Sequence, residues 1–288
     1  NNNFFGSQPG YNNTTGCFNT FIGCRTGYNN TFGNHNNFIG CRGGYFNTTG
    51  SCNNFFGPGA GFYNTTGSYN IFIGCGAGFR NTTGCDNLFL GTCAGRYNTT
   101  GCYNNFLGRN AGRCNTTGCD NNFLGRCAGY CNTTGTNNIF FGCCSGVGAT
   151  GLANITTESN RIIMGNSSHA CAQIQIAWTA VSDIRDKCIF GPVPHGRGFL
   201  SNVNPIAYAF KNRITNEITD PPNKKRYGFS AQEIAALEGV EKVIVSDDTP
   251  DKLQITSDYL IPILVNAIKE MSAEIDQLKA RIEAIESK

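Results

Sequence analysis

Asn87-Leu88-Phe89-Leu90-Gly91-Thr92-Cys93-Ala94-Gly95-Arg96-Tyr97-Asn98-Thr99-Thr100-Gly101-Cys102-Tyr103 is one of a series of near-copies filling the first half of the chain. A Phe recurs every 17 residues at Phe4, Phe21, Phe38, Phe55, Phe72, Phe89, Phe106, Phe123 and Phe140. One Gly ladder follows two residues behind it, from Gly6 to Gly142, and a second four residues later, from Gly10 to Gly146. A third, Gly16 to Gly135, usually closes an Asn-Thr-Thr-Gly turn. A unit this short is below the roughly 30 residues of a helical hairpin repeat. Its Gly and Asn content also disfavours helix. Gly permits positive φ at little cost, so the three ladders read as sharp turns between short extended pieces. One coil of a parallel β-solenoid per repeat is the economical fold. Nine coils stacked about 4.8 Å apart make a rod of roughly 40 Å. The Phe and the Ile, Phe or Leu after it alternate faces, one filling the coil and the other available to a neighbouring chain. So thin a coil buries little alone, which favours oligomerisation.

The second half differs in composition. Residues 1–181 hold eight Arg, no Lys and three acidic residues, whereas 182–288 hold 14 Lys and Arg against 16 acidic residues. Two domains are expected. The net charge of +3 is spread singly along the sequence, which argues against a nucleic-acid partner. No apolar run reaches the roughly 20 residues that span a bilayer, so no membrane insertion is expected. The chain opens Asn1-Asn2-Asn3 without Met, which reads as a fragment of a longer protein.

Fourteen of the 16 Cys lie in the repeats. Cys143 and Cys144 are adjacent and no two CxxC units occur, so the spacing fits no zinc site. Neither metal nor cofactor is expected. By repeat position, Cys85, Cys102 and Cys119 share one column, Cys24 and Cys41 another, Cys114 and Cys131 a third, Cys127 and Cys144 a fourth. Column neighbours fall within disulfide range, giving either a disulfide ladder or small side chains filling a tight column. Another column carries Tyr11, Tyr28, Tyr45, Phe62, Phe79, Arg96, Arg113 and Tyr130. It is either a ligand-stacking surface or a packing column. The Asn-Thr-Thr triplets match a glycosylation sequon, though turn chemistry accounts for them without sugar. Gly146 to Gly151 satisfies GxGxxG but closes the array without a surrounding βαβ unit.

This half is similar to the β-roll heads of trimeric bacterial adhesins, whose repeats also stack in parallel. Residues 152–181 read as a β neck, with short strands at Arg161-Ile162-Ile163-Met164-Gly165 and Ala172-Gln173-Ile174-Gln175-Ile176. Then comes Ser182-Asp183-Ile184-Arg185-Asp186-Lys187. Three further stretches follow: Asn204-Pro205-Ile206-Ala207-Tyr208-Ala209-Phe210-Lys211, Tyr227-Gly228-Phe229-Ser230-Ala231-Gln232-Glu233-Ile234, and Tyr259-Leu260-Ile261-Pro262-Ile263-Leu264 running into Ala267-Ile268-Lys269-Glu270. In order and spacing these resemble the C-terminal intramolecular chaperones of phage endosialidases and tail fibres. Cys188 and Phe190 depart from the more polar stretch usual after the Lys.

The resemblance implies an α+β domain over 182–288 that trimerises the chain and cuts itself off. Ser182 is the implied nucleophile and Lys187 the base, with Asp183 and Arg185 supporting and Val181 flanking the scissile bond. A Ser hydroxyl needs a base to take its proton, and a Lys serves only if its pKa is lowered. Whether the bond before or after Ser182 is cut stays open. His195 is a rival base in a Pro/Gly-rich loop.

The tail supports assembly independently of the resemblance. Ile261, Leu264, Ile268, Met271, Ile275, Leu278, Ile282 and Ile285 alternate at spacings of 3 and 4, a coiled-coil seam. Glu274 with Lys279, and Arg281 with Glu286, sit where interchain pairs form. Ile followed by Leu at the core positions nominally favours dimers, so the trimer rests on the resemblances. The whole reads as repeat fibre 1–151, neck 152–181 and chaperone 182–288. The expected role is a virion tail or surface fibre, extracellular after release, with a host-surface glycan or receptor as partner. The rival readings are a polysaccharide-degrading tailspike and a non-viral secreted adhesin-like fibre. The only enzyme activity expected is self-cleavage. Glycoside hydrolysis needs paired carboxylates, and the fibre offers Asp86, Asp120 and Glu158 alone.

Overall fold

A computed structural model describes residues 1–147, 154–166, 184, 187–211, 216–218, 225–240, 242–246 and 253–287. The chain divides into two compact units, Asn1–Gln173 and Ile174–Lys288. The first is a parallel β-solenoid built on one ten-stranded sheet of three-residue strands. These are β1 (Asn3–Phe5), β2 (Thr20–Ile22), β3 (Asn37–Ile39), β4 (Asn54–Phe56), β5 (Ile71–Ile73), β6 (Leu88–Leu90), β7 (Asn105–Leu107), β8 (Asn122–Leu124), β9 (Ile139–Phe141) and β10 (Ile162–Met164). From β1 to β9 each strand pairs with the next in a register of one repeat, Phe4 opposite Phe21 and Phe21 opposite Phe38. The first strand expected in the neck, at Arg161–Gly165, is found as Ile162–Met164 and forms the tenth rung, set opposite Ile139–Phe141.

Four ladders fill the coil. The middle strand residue turns inward, and Phe21 through Phe140 are fully buried. Their rings stack at centroid separations such as 4.8 Å for Phe72 on Phe89 and for Phe89 on Phe106. A buried Phe contributes roughly 1.5–3 kcal/mol. The Ala of Ala60, Ala77, Ala94, Ala111 and Ala128 lines the same core. The other two ladders are buried Asn. In one, Asn98 Nδ2 donates to Asn81 Oδ1 at 2.8 Å and to the Gly101 carbonyl at 2.9 Å. In the other, Asn104 Nδ2 donates to the Gly118 carbonyl at 2.8 Å while its N–H donates to Asn87 Oδ1 at 3.0 Å. The carboxamides thus satisfy turn carbonyls that a coil without water inside would leave orphaned.

The glycine ladders divide differently from the sequence expectation. Gly95 has φ 55° and a Cβ there would lie 2.4 Å from the Phe89 ring, so conformation and space both require Gly. Gly101 is not left-handed; a Cβ there would meet the Gly118 carbonyl oxygen at 2.4 Å. That ladder is held by close approach of successive coils rather than by φ. Left-handed backbone instead recurs at non-Gly positions, among them Tyr69, Asp86, Tyr103 and Asp120 at φ 56–60°. Asp86 and Asp120, with His35 and Asn137 of the same column, are types enriched in that region, whereas Tyr69 and Tyr103 are not.

The Asn of the Asn-Thr-Thr turns at 47, 64, 81, 98, 115 and 132 are fully buried. As the interior ladder they are closed to glycosylation, which overturns the sequon reading there. The ladder ends at Asn132, whose Oδ1 has no partner. Ile155, packed against the core, stands where the next carboxamide would be.

The second unit mixes short helices and small antiparallel sheets. Strands β11 (Ile206–Tyr208) and β12 (Arg226–Gly228) pair with Ile206 opposite Gly228, and β13 (Val245–Ser246) pairs with β14 (Gln254–Ile255). Helix α1 spans Arg197–Leu200 and α2 spans Ala231–Glu238. Ser230 caps α2 by accepting from the Glu233 N–H. A 27-residue helix, α3 (Leu260–Glu286), ends the chain. Ile234, Ile244, Val245, Leu260 and Ile263 form the core. Glu238 binds the backbone beneath it, accepting from the N–H groups of Val243, Ile244 and Val245.

Candidate functional site

The Ser/Lys pair falls at the edge of what the structure describes. Val181, Ser182, Asp183 and Arg185 lie outside the described residues, as does the strand expected at Ala172–Ile176. Lys187 is described and is exposed in the single chain. His195 is partly buried and stacks on Phe199 at 4.3 Å. Its carbonyl and that of Val193 accept from Asn266 Nδ2 on α3. His195 also lines a mostly apolar cavity of about 500 Å³ with Val243, Ile244, Tyr259 and Pro262.

Of the quoted stretches in this unit, Asn204–Lys211 contains β11 and Tyr227–Ile234 runs from β12 into α2. The first two therefore lie side by side in one hairpin-like sheet. The third opens α3.

Helix α3 has two apolar faces. Leu260, Ile263 and Ala267 are buried in its own unit. The seam of Ile261, Leu264, Ile268, Met271, Ile275, Leu278, Ile282 and Ile285 is exposed throughout, with Ile275 at 51% and Ile285 at 70%. Glu274, expected to pair across chains with Lys279, is held by Arg197 of the same chain, and Glu270 accepts from the Arg197 N–H at 2.8 Å. Lys279 lies 3.9 Å from Asp276 instead. The packing of α1 against α3 gives Glu274 a partner in its own chain, 77 residues away, that sequence spacing does not reveal.

A second uncovered apolar row runs along the solenoid. The last residue of each strand turns outward: Phe5, Ile22, Ile39, Phe56, Ile73, Leu90, Leu107, Leu124, Phe141 and Met164. Each is exposed or partly so. At about 4.8 Å per coil the row is roughly 43 Å long.

No family model, curated protein or solved structure matches this chain. Among the described residues no helix is long and apolar enough to cross a membrane.

The aromatic column packs on itself. Tyr11, Tyr28 and Tyr45 stack at 5.0 and 5.1 Å, and Phe62 and Phe79 continue the pile. Arg96 lies over Phe79 at 4.9 Å, and Arg113 over Tyr130 at 5.4 Å. Ring faces between coils are thus covered by column neighbours. Sequence reasoning missed the adjacent column of Phe46, Tyr63, Arg80 and Tyr97, which meets the first edge to face and through Arg96 and Arg113 over the Tyr97 ring. Its residues directly follow the first column in each repeat, a signal visible in the alignment of repeats.

All 15 described cysteines are free. The Cys85 column is neither a disulfide ladder nor inert filling. Backbone N–H groups of Cys85 and Cys102 donate to Sγ of Cys102 and Cys119, at 3.2 and 3.1 Å. Ser and Asn play the same part elsewhere, as where Ser51 N–H donates to Ser68 Oγ at 3.0 Å and Cys17 N–H to Asn34 Oδ1 at 2.8 Å. The column selects a γ-position acceptor, and a thiol is a weak one. Burial raises the Cys102, Cys114 and Cys131 thiols above their ordinary range. Cys143 is different: Arg126 Nη2 donates to its Sγ at 3.3 Å and holds it below that range. Cys144, 3.5 Å away, is pushed up to about 11 by burial and by Cys143.

Asp86 and Asp120 occupy one column two coils apart, roughly 10 Å. Glu158 is engaged by the Thr156 and Thr157 N–H groups.

Proposed function

We propose that the chain is one subunit of a parallel homotrimeric fibre, with residues 182–288 acting as an assembly domain that cuts itself off beside Ser182. The observation that supports this best is the pair of uncovered apolar rows, one on the solenoid and one on α3. Each is too long and regular for scattered surface residues. Association of identical chains in parallel brings like onto like within each row. The helical seam sets the register, and the solenoids then pack side by side. Early association of the seam reduces the entropy that non-local strand pairing must overcome. Removing it afterwards leaves a product that cannot unfold by reversing its route, a form of kinetic stability. The number three and the cleavage come from the resemblance to phage chaperones and adhesin heads. On this reading the mature part is a virion tail or surface fibre.

Two measurements test it. Sedimentation of the full chain is expected to give a trimer, and Ile268→Asp with Ile275→Asp is expected to give monomers. Mass spectrometry of wild type is expected to find a break next to Ser182 that Ser182→Ala and Lys187→Ala abolish. A monomeric wild type sinks the assembly reading. An intact wild-type trimer sinks the cleavage and leaves residues 182–288 as an assembly clamp.

A further inference from the structure

Three guanidinium groups crowd one tyrosine on the solenoid. Arg80 lies 5.3 Å, Arg113 5.4 Å and Arg96 5.9 Å from the Tyr97 ring centroid. They come from three successive repeats, so charges that are single in sequence are gathered by the coil stacking. No carboxylate pairs with any of them among the described residues. Their recorded polar partners are weak or neutral: Cys93 Sγ for Arg96 at 3.4 Å and the Tyr130 hydroxyl for Arg113. The Nε–H groups of Arg96 and Arg113 are buried without an acceptor, which leaves the terminal N–H groups as the ones a ligand can reach. Like charges this close repel, and the rings of Phe79, Tyr97 and Tyr130 supply attraction but no counter-charge.

A guanidinium lying on an aromatic face keeps its in-plane N–H fork free at the edge. That fork matches a planar or tetrahedral oxyanion. The corner is accessible: Arg80 is exposed and Arg96, Tyr97 and Arg113 are partly so. Three residues beyond Arg80 and Tyr97, and in the next coil, exposed Thr83, Thr100 and Thr117 add a row of hydroxyls. Nucleic acid fits less well. Ring faces here are already covered, leaving no base-stacking platform, and three charges fall short of the roughly 6–10 phosphate contacts that a salt-dependent nucleic-acid site uses. A single compact anionic group beside hydroxyl-bearing surface suits the site better.

We infer that the corner formed by Arg80, Arg96, Arg113 and Tyr97 binds the carboxylate or sulfate group of an acidic saccharide. All of its groups belong to one chain, so the inference does not depend on the assembly proposed above. Arg96 lies six residues along the coil from Leu90 of the apolar row, on a different stretch of the repeat.

The test is titration calorimetry of the full chain with a galacturonate oligomer, a heparin-derived oligomer, a neutral cello-oligomer and single-stranded DNA. Binding of the carboxylated, the sulfated or both acidic oligomers supports the site and names its anion. Arg96→Gln with Arg113→Gln is expected to weaken that binding at least about tenfold. Arg25→Gln with Arg42→Gln, an equal charge change in another column, is expected to leave it within about twofold. Equal loss from both pairs, equal binding of the neutral oligomer, tighter binding of DNA, or no binding of either acidic oligomer overturns the inference. Because the Gln variants risk misfolding, wild type is also treated with an arginine-selective dicarbonyl and mapped by mass spectrometry. The acidic oligomer is expected to protect Arg80, Arg96 and Arg113 but not Arg25, and absence of that protection equally overturns it.

Discussion

Replacing Asn98 by Ala tests whether the buried carboxamide ladder, rather than the Phe stack alone, holds the solenoid. Asn98 Nδ2 serves Asn81 Oδ1 and the Gly101 carbonyl, and Asn98 Oδ1 accepts from Asn115 Nδ2 at 2.7 Å. Gly101 keeps a second donor in Asn87 Nδ2, and Asn115 Nδ2 keeps the Gly118 carbonyl. Asn81 Oδ1 keeps nothing. One fully orphaned buried acceptor costs about 1–3 kcal/mol, and each of the other two lost bonds about 0.5–1.5 kcal/mol. The expected destabilisation is about 4 kcal/mol. Asn132→Ala supplies an internal comparison. It also strands one acceptor, Asn115 Oδ1, but it removes an Oδ1 that is already unpartnered. Its expected cost is smaller by about 3 kcal/mol. Asn12, exposed and bonded to Asn29 at 2.8 Å, is the surface control, with an expected cost under about 1 kcal/mol. The assay is equilibrium urea unfolding followed by far-ultraviolet circular dichroism. Equal midpoints for Asn98→Ala and Asn12→Ala would refute the ladder argument. Equal losses at 98 and 132 would refute the accounting of orphaned atoms.

Three further outcomes are expected. Gly101→Ala, which drives a Cβ into the Gly118 carbonyl, should prevent stable folding, whereas Gly59→Ala, with nothing closer than 3.5 Å, should cost about 1–2 kcal/mol through its left-handed φ of 65°; thermal melts that rank them the other way would be inconsistent with close coil approach. Tyr103→Asn at φ 58° should stabilise by about 0.5–1 kcal/mol, since Asn tolerates that conformation and Tyr does not, and a lower melting temperature would count against strain at this column. Cys143, held low by Arg126, should reach half its maximal alkylation rate at lower pH than Cys114, which burial raises, and Arg126→Ala should move the Cys143 profile upward; coincident profiles would dismiss the Arg–thiol contact.

The solenoid was legible because a 17-residue step repeats one steric problem in every coil. Phe, two Gly ladders and the alternation of Phe21 with Ile22 each report a local constraint that sequence displays directly. The buried role of Asn98 was not legible, because an Asn in a turn and an Asn bonded to the next coil look the same in sequence. The left-handed conformation at Tyr103 was hidden because the stack imposes it against residue preference. In the second unit, helix α3 and its apolar stripe were legible from their spacing, and the stripe is exposed in the single chain. The tie of Glu274 to Arg197 was not, since it depends on how α1 packs. The Ser182 and Lys187 assignment rests on resemblance, and the four residues named with Lys187 for that chemistry, Val181, Ser182, Asp183 and Arg185, all lie outside the described residues.

The carboxamide ladder has a direction: each Asn, from Asn30 to Asn132, donates backwards to the coil before it. Every coil therefore offers its predecessor the same donors and its successor the same acceptors. Deleting or duplicating 17 residues between Gly27 and Gly129 joins surfaces that already fit. Rod length is then a quantity that can be dialled in steps of about 4.8 Å without redesigning a single contact. A gene encoding such a chain can lengthen or shorten its product by unequal recombination between repeats and still yield a folded rod.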